Sequence, residues 1–270
     1  MVKILLSVQE TKGIKKGDKV HYFFKLIGGL VIMSDVLLHT NMSRNIKANF
    51  TYKNLFVVIF SVLAIVFLEG MFLILAADVY TEGKIENVIE GYYLLIIDAI
   101  LTMIFILLYK PVRDFIFYIW DLSVLKKSKT YVYILMGFLV IALSQYIILN
   151  LLGFESAEQQ RDQLGVTTLK EGFFQPIIYL ISVAIITPIK EEVLYRGILY
   201  RFLESKYNFI IGMFISSVVF GLLHGGFPIT AIIMGMVFAI LYKKTQSIFP
   251  SIVLHILWNL FASILTILFL

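Results

Sequence analysis

Seven apolar segments, at about 55–77, 91–109, 131–152, 174–204, 208–225, 227–243 and 247–270, constrain this chain more than any other feature. Several approach the ~20 residues that a helix needs to cross a hydrocarbon core. With 60% hydrophobic and only 15% charged residues, the remaining sequence is too small and too polar to enclose them as a soluble core. The fold class this predicts is all-α: a polytopic transmembrane bundle of about seven spans.

The loops between the segments alternate in charge. Arg44, Lys47 and Lys53 precede the first span, and the next loop (DVYTEGKIENVIEG) is acidic. Lys110, Arg113, Lys126, Lys127 and Lys129 follow the second span, Arg201 and Lys206 the fourth, and Lys243 and Lys244 the sixth. The positive-inside rule then places the N-terminus in the cytoplasm of a multi-pass cell-membrane protein. The net charge of +5 is spread among loops, so it reports topology and not nucleic-acid binding. Zero cysteines exclude disulfides, thiol nucleophiles and thiolate metal ligands. The N-terminal apolar run is too short for a signal peptide. Residues 22–38 are apolar enough to suggest an eighth span, but Lys25 and Asp35 lie inside them and both flanks are basic; an extra N-terminal interfacial helix is the expectation.

Within the fourth segment sits KEEVLYRG, residues 190–197. Pro188 removes one helix hydrogen bond, leaves the carbonyl of Ala184 free and predicts a kink just before Glu191. If the helix continues to about Ser205, Glu191 lies roughly 20 Å from the turn that follows, and His224, on the next span, roughly 25 Å from the same turn. The charged motif therefore belongs inside the bundle. Charge at that depth costs several kcal/mol unless it is paired or faces a wet cavity. Glu192 and Arg196, four apart with the acid first, can neutralise each other. Glu191 is rotated about 100° away and lacks that partner, which suits a general base. From this segment alone, three charges marking a helix end at the interface explain the sequence equally well.

Four histidines occur: His21 and His39 in the basic N-terminal region, His224 and His255 inside apolar spans. Phe220 lies one turn before His224, and Asn259 one turn after His255. A lone buried histidine usually packs. Two on neighbouring helices, with an asparagine and a free glutamate, form a set that can activate water and stabilise an oxyanion. Glu69 and Asp98, in the first two spans, have no partner evident in the sequence and are expected to face the bundle interior or each other.

The combination of Glu191-Glu192-Val-Leu-Tyr-Arg196, Phe220-Gly-Leu-Leu-His224 and His255-Ile-Leu-Trp-Asn259 resembles the EExxxR, FxxxH and HxxxN/B pattern of the CPBP family (CAAX protease and bacteriocin-processing, or Abi) of intramembrane endopeptidases. The resemblance covers about 174–262. The expected organisation is a basic cytoplasmic region at 1–53 and N-terminal transmembrane helices at 54–153, from charge and apolar pattern, and a CPBP-type catalytic membrane core at 173–270, from the resemblance. It implies that Glu191 and His224 activate water, that His255 and Asn259 stabilise the tetrahedral oxyanion, and that Glu192, Arg196 and Phe220 support the site. The family is often labelled metalloprotease, and Glu191, His224 and His255 would form a His₂Glu site for one divalent ion such as zinc. HExxH is absent and Asn259 suits an oxyanion better than zinc, so a glutamate-dependent mechanism with no obligatory metal is the expectation. The partners implied are the lipid bilayer and a peptide or membrane-protein substrate, with no nucleic acid. Lysine-rich usage favours a bacterial role in peptide processing, bacteriocin immunity or signalling. Two other classes use similar residues: a transporter or proton relay, and a catalytically inactive membrane scaffold. Paired repeats, common in transporters, are not visible, and the intact set of polar residues argues against the scaffold.

Overall fold

The computed structural model describes residues 49–80, 91–156, 158–166, 169 and 173–268. The expected interfacial helix at 22–38, His21, His39 and nearly all of the basic region at 1–53 lie outside them. Among the described residues the architecture is all-α, as expected, with no strand. In hydrocarbon only structures that satisfy their own backbone hydrogen bonds can cross, which is why such apolar segments become helices.

The elements are α1 (Tyr52–Tyr80), α2 (Gly91–Leu108), α3 (Lys110–Ile116), α4 (Ser128–Gln145, prolonged by a π-helical stretch Tyr146–Leu151), α5 (Glu158–Gln163), α6 (175–206), α7 (Phe209–Leu222), α8 (Pro228–Thr245) and α9 (Phe249–Leu268). Five described helices are long and apolar enough to cross a membrane: α1, α2, α4, α8 and α9. The other two expected spans differ in kind. Helix α7 has 14 residues, or ~21 Å of rise. Helix α6 is long but carries Lys190, Glu191, Glu192, Arg196 and Arg201. It alternates α-helical turns with π-helical stretches at Leu180–Ile186 and Val193–Tyr200.

Helix α1 is peripheral. Phe56, Phe60 and Phe67 on it are all exposed, the surface a lipid-facing helix presents. Helices α7 and α8 approach closely because their facing residues are small: a Cβ on Gly221 would lie 2.6 Å from the carbonyl oxygen of Pro228, and one on Gly235 would lie 2.9 Å from Cβ of Ser217. Asn208 caps α7 by accepting from the backbone N–H of Ile211 at 3.0 Å. The start of α8 is capped from another part of the chain. The Glu155 carboxylate accepts from the backbone N–H groups of Ile229 and Thr230 and from the Thr230 hydroxyl. At the opposite end of α8, Lys243 pairs with Glu204 of α6 at 2.5 Å. Arg201 is buried against the ring of Phe115 and donates to its backbone carbonyl.

Candidate active site

Three consecutive residues of α6 fan outward about 100° apart, and each meets a different neighbour. Lys190 forms an ion pair with Asp98 of α2. Thr102, one turn further along α2, donates to the same carboxylate at 3.2 Å. The sequence showed no partner for Asp98 and left it facing the bundle interior or Glu69; its partner is Lys190 of α6. The partner went unseen because i, i+3 and i, i+4 spacing reveals pairs within one helix only. Glu69, on α1, has one buried oxygen without a hydrogen-bond partner.

Glu192 turns into the bundle. Its Oε1 accepts from Arg196 Nη1 at 2.8 Å, with side-chain exposures of 0% and 1%, so the i, i+4 pair expected from the sequence is present and fully buried. The same oxygen accepts from His255 Nδ1 at 3.0 Å. The Arg196 guanidinium lies between the rings of Phe220 and Phe238, its carbon 4.5 and 4.9 Å from their centroids. Its Nη2 reaches the Gly235 carbonyl at 3.3 Å. Phe238 also stacks on His255, with centroids 4.6 Å apart. Phe238 and Gly235 of α8 were not anticipated. They carry no charge and no spacing signal, and only the packing of α8 on α6 and α9 brings them to the site.

Glu191 points to the other nitrogen of the same histidine, Oε2 lying 3.6 Å from His255 Nε2. His255 thus stands between the two glutamates. With Glu191, Glu192 and Arg196 ionised the group carries a charge of −1, and a single proton on His255 brings it to zero. Buried charge is tolerated when it is compensated in this way.

His224 sits where α7 ends. Its Nδ1 is 2.7 Å from the carbonyl oxygen of Phe220. The carbonyl can only accept, so Nδ1 carries the hydrogen and Nε2 keeps its lone pair. Among the described residues His224 makes no ion pair with Glu191. The sequence grouped Glu191 with His224; the structure places His255 nearer.

Asn259 donates through Nδ2 to the Val183 carbonyl at 2.9 Å. Val183 lies in the π-helical stretch Leu180–Ile186. In a π register each carbonyl expects its donor five residues on, and five residues beyond Val183 stands Pro188, which has no N–H. The carbonyl freed by Pro188 is therefore that of Val183, not Ala184, and Asn259 takes it. One of the two amide hydrogens of Asn259 is thereby fixed and the other is left.

His224, His255 and Asn259 all line one cavity of about 580 Å³ between α4, α5, α6 and α9. Among the described residues no three His, Cys, Asp or Glu side chains are grouped as ligands for one ion. Nδ1 of both histidines is already engaged, so each offers Nε2 alone. Those two nitrogens and the Glu191 carboxylate are the groups that would hold an ion.

Residues 173–261 match the model of Rce1-like proteins, type II CAAX prenyl endopeptidases. This segment contains all three motifs and every residue of the Glu191–Glu192–Arg196–His255 cluster. The membrane core of the chain is thus similar to the CPBP family. Two curated relatives are similar to part of the chain. The "Putative membrane peptidase YdiL" of Bacillus subtilis (strain 168) is 36% identical over 92 residues, covering 33% of this chain and 37% of that protein. The "Membrane-embedded CAAX protease MroQ" of Staphylococcus aureus (strain USA300) is 27% identical over 157 residues, covering 53% of this chain and 62% of that protein. The matches thus span less than two thirds of either relative. No solved structure matches the chain. Together with five apolar helices, these likenesses make it a multi-pass membrane protein.

Proposed function

We infer that this protein is an intramembrane endopeptidase that hydrolyses a peptide bond with a water activated by Glu191. The observation that carries the reading is His255 held between Glu191 and Glu192 on the wall of a cavity that His224 and Asn259 also line. The hydrogen-bond states suit the division of labour that the family resemblance implies. His224 Nε2 has a free lone pair and can accept from the attacking water together with Glu191. His255 donates through Nδ1 to Glu192, and with a second hydrogen on Nε2 it has a donor that can turn from Glu191 to a developing oxyanion. The remaining amide hydrogen of Asn259 adds a second donor.

In the proposed cycle water attacks the scissile carbonyl carbon while Glu191 takes a proton, and the oxyanion forms against His255 and Asn259. The C–N bond then breaks, and the proton held by Glu191 passes to the leaving amine. Glu192 and Arg196 do not meet the substrate; they position His255. In this reading α6 and α7 also cross the membrane, giving seven spans with the N-terminus in the cytoplasm. Helix α6, ~48 Å long by its rise, is long enough to cross; Lys190 is paired with Asp98 and Glu192 with Arg196. The expected role is bacterial peptide processing, bacteriocin immunity or signalling.

The test is the membrane peptidome of a host carrying wild-type protein compared with one carrying Glu191→Gln. Peptides released only by the wild type support the reading, and identical peptidomes refute it. Repeating the wild-type measurement on isolated membranes after exhaustive chelation separates the two mechanisms. Retained cleavage supports the metal-free one, and loss restored by zinc overturns it.

A further inference from the structure

We propose that a basic pocket between the start of α4 and the end of α8 binds an anionic phosphate group, such as an acidic phospholipid presents at the membrane surface. The pocket has a volume of about 500 Å³, and Lys127, Lys129 and Lys244 stand on its wall beside Ser128, Thr130 and Tyr133. Among the described residues no aspartate or glutamate shares that wall, and none of the three lysines forms an ion pair. Lys243, next to Lys244, is instead paired with Glu204. Asp121, off the wall, feels the charge of Lys127, but its carboxylate accepts from the backbone N–H of Ser123 at 2.8 Å. Lys244 alone would be explained by the negative end of α8. Lys127 and Lys129 have no such explanation. Helix α4 begins with no side-chain cap and no acidic residue in its first turn, so two lysines meet a helix end of their own sign. Like charge accumulates there, and an anion in the pocket offsets all three ammonium groups at once.

The walls are held by bonds that need no ligand. Thr130 is buried and donates through Oγ1 to the Val124 carbonyl at 2.6 Å. The turn after α8 is tied to the segment before α4 twice: Ser247 Oγ donates to the Asp121 carbonyl at 2.8 Å, and the Ile248 N–H to the Ile119 carbonyl at 2.9 Å. Helices α4 and α8 are both long and apolar enough to cross a membrane, so a pocket at their ends lies where hydrocarbon meets water. Trp120, Tyr131 and Tyr133, at the same end, are exposed, as amphipathic rings are at that level. Basic pockets between spanning helices suit acidic head groups. Two sources offer the same chemistry: the head group of an acidic phospholipid, or phosphate free in water.

The test follows the melting temperature of full-length protein in a neutral detergent. One arm titrates phosphatidylglycerol against zwitterionic phosphatidylcholine, and the other inorganic phosphate against chloride at equal ionic strength. The favoured anion should raise the melting temperature by about 3–10 °C over its comparison, as a ligand at about ten to a hundred times its Kd does. Lys129→Gln/Lys244→Gln should move the midpoint of that titration about twentyfold, at roughly fivefold per lysine. Lys53→Gln/Lys206→Gln removes two exposed lysines that are not on the wall, and should move it less than about twofold because salt screens distant charge. A gain from phosphatidylglycerol identifies the lipid as the source, and a gain from inorganic phosphate identifies the free ion. Equal responses to the two lipids with none to phosphate overturn the proposal. So does an equal loss in the two double variants, which assigns the effect to diffuse charge. If Lys129→Gln/Lys244→Gln fails to fold, Lys244→Gln takes its place with a shift of about fivefold expected; an unmoved midpoint overturns the proposal.

Discussion

Glu192→Gln should damage the fold first and catalysis second, and the structure gives the size of the effect. The carboxylate and its Arg196 partner are wholly buried and 2.8 Å apart. Neutralising the acid leaves a guanidinium inside the bundle with one carbonyl, of Gly235, and two aromatic faces for company. Breaking a buried pair in this way costs about 3–5 kcal/mol. The Phe220 and Phe238 rings stay in place and return roughly 1–2 kcal/mol, since a desolvated cation–π contact contributes about that much. A net loss of about 1–4 kcal/mol is expected, or roughly 2–16 °C in melting temperature at about 2–4 °C per kcal/mol. The assay is thermal unfolding of purified protein in detergent, followed by loss of the monodisperse peak. Glu192→Leu combined with Arg196→Met removes both charges and should recover most of that stability. It should not recover peptidase activity, because His255 Nδ1 has lost its acceptor. Melting of Glu192→Gln within 2 °C of wild type, or a double variant no more stable than the single one, would refute the argument.

Asp98→Asn should strand Lys190 and destabilise by about 2–4 kcal/mol, with Asp98→Asn/Lys190→Met recovering part of the loss in the same melting assay. Pro188→Ala restores an N–H that competes with Asn259 for the Val183 carbonyl; cleavage should fall about tenfold while melting temperature holds or rises, and unchanged cleavage would show that the freed carbonyl does not position Asn259. Glu155→Ala removes the cap of α8 and should cost about 1–2 kcal/mol of stability. Single cysteines are readily introduced into this Cys-free chain: labelling at Lys127 only from the cytoplasmic side supports the proposed topology, and labelling from outside reverses it.

Much of this molecule was legible along the chain because lipid enforces simple rules. Helix α1 came out as Tyr52–Tyr80 against an apolar segment of 55–77, and α9 as Phe249–Leu268 against 247–270. Glu192–Arg196 was readable because both partners share one helix face. What could not be read are contacts between residues far apart in sequence. Asp98 meets Lys190 across 92 positions, and Glu155 meets Thr230 across 75. No spacing rule links such pairs. The orphaned carbonyl was placed one residue away from its true position because an α-helical register was assumed, whereas α6 is π-helical over Leu180–Ile186. His255 was assigned to Asn259, its neighbour one turn on. Its buried partner is Glu192, and that bond depends on how α9 packs against α6.

The central claim is that Glu191 is the base that activates water, and the direct measurement is the single-turnover rate of peptide cleavage by purified Glu191→Gln beside wild type. The substitution keeps the side-chain shape and removes the proton acceptor. The expected outcome is a fall of roughly 10²–10⁴-fold, typical of a lost general base, with the melting temperature within a few degrees of wild type because Glu191 is not part of the Glu192–Arg196 pair. Cleavage by Glu191→Gln at the wild-type rate would contradict the account.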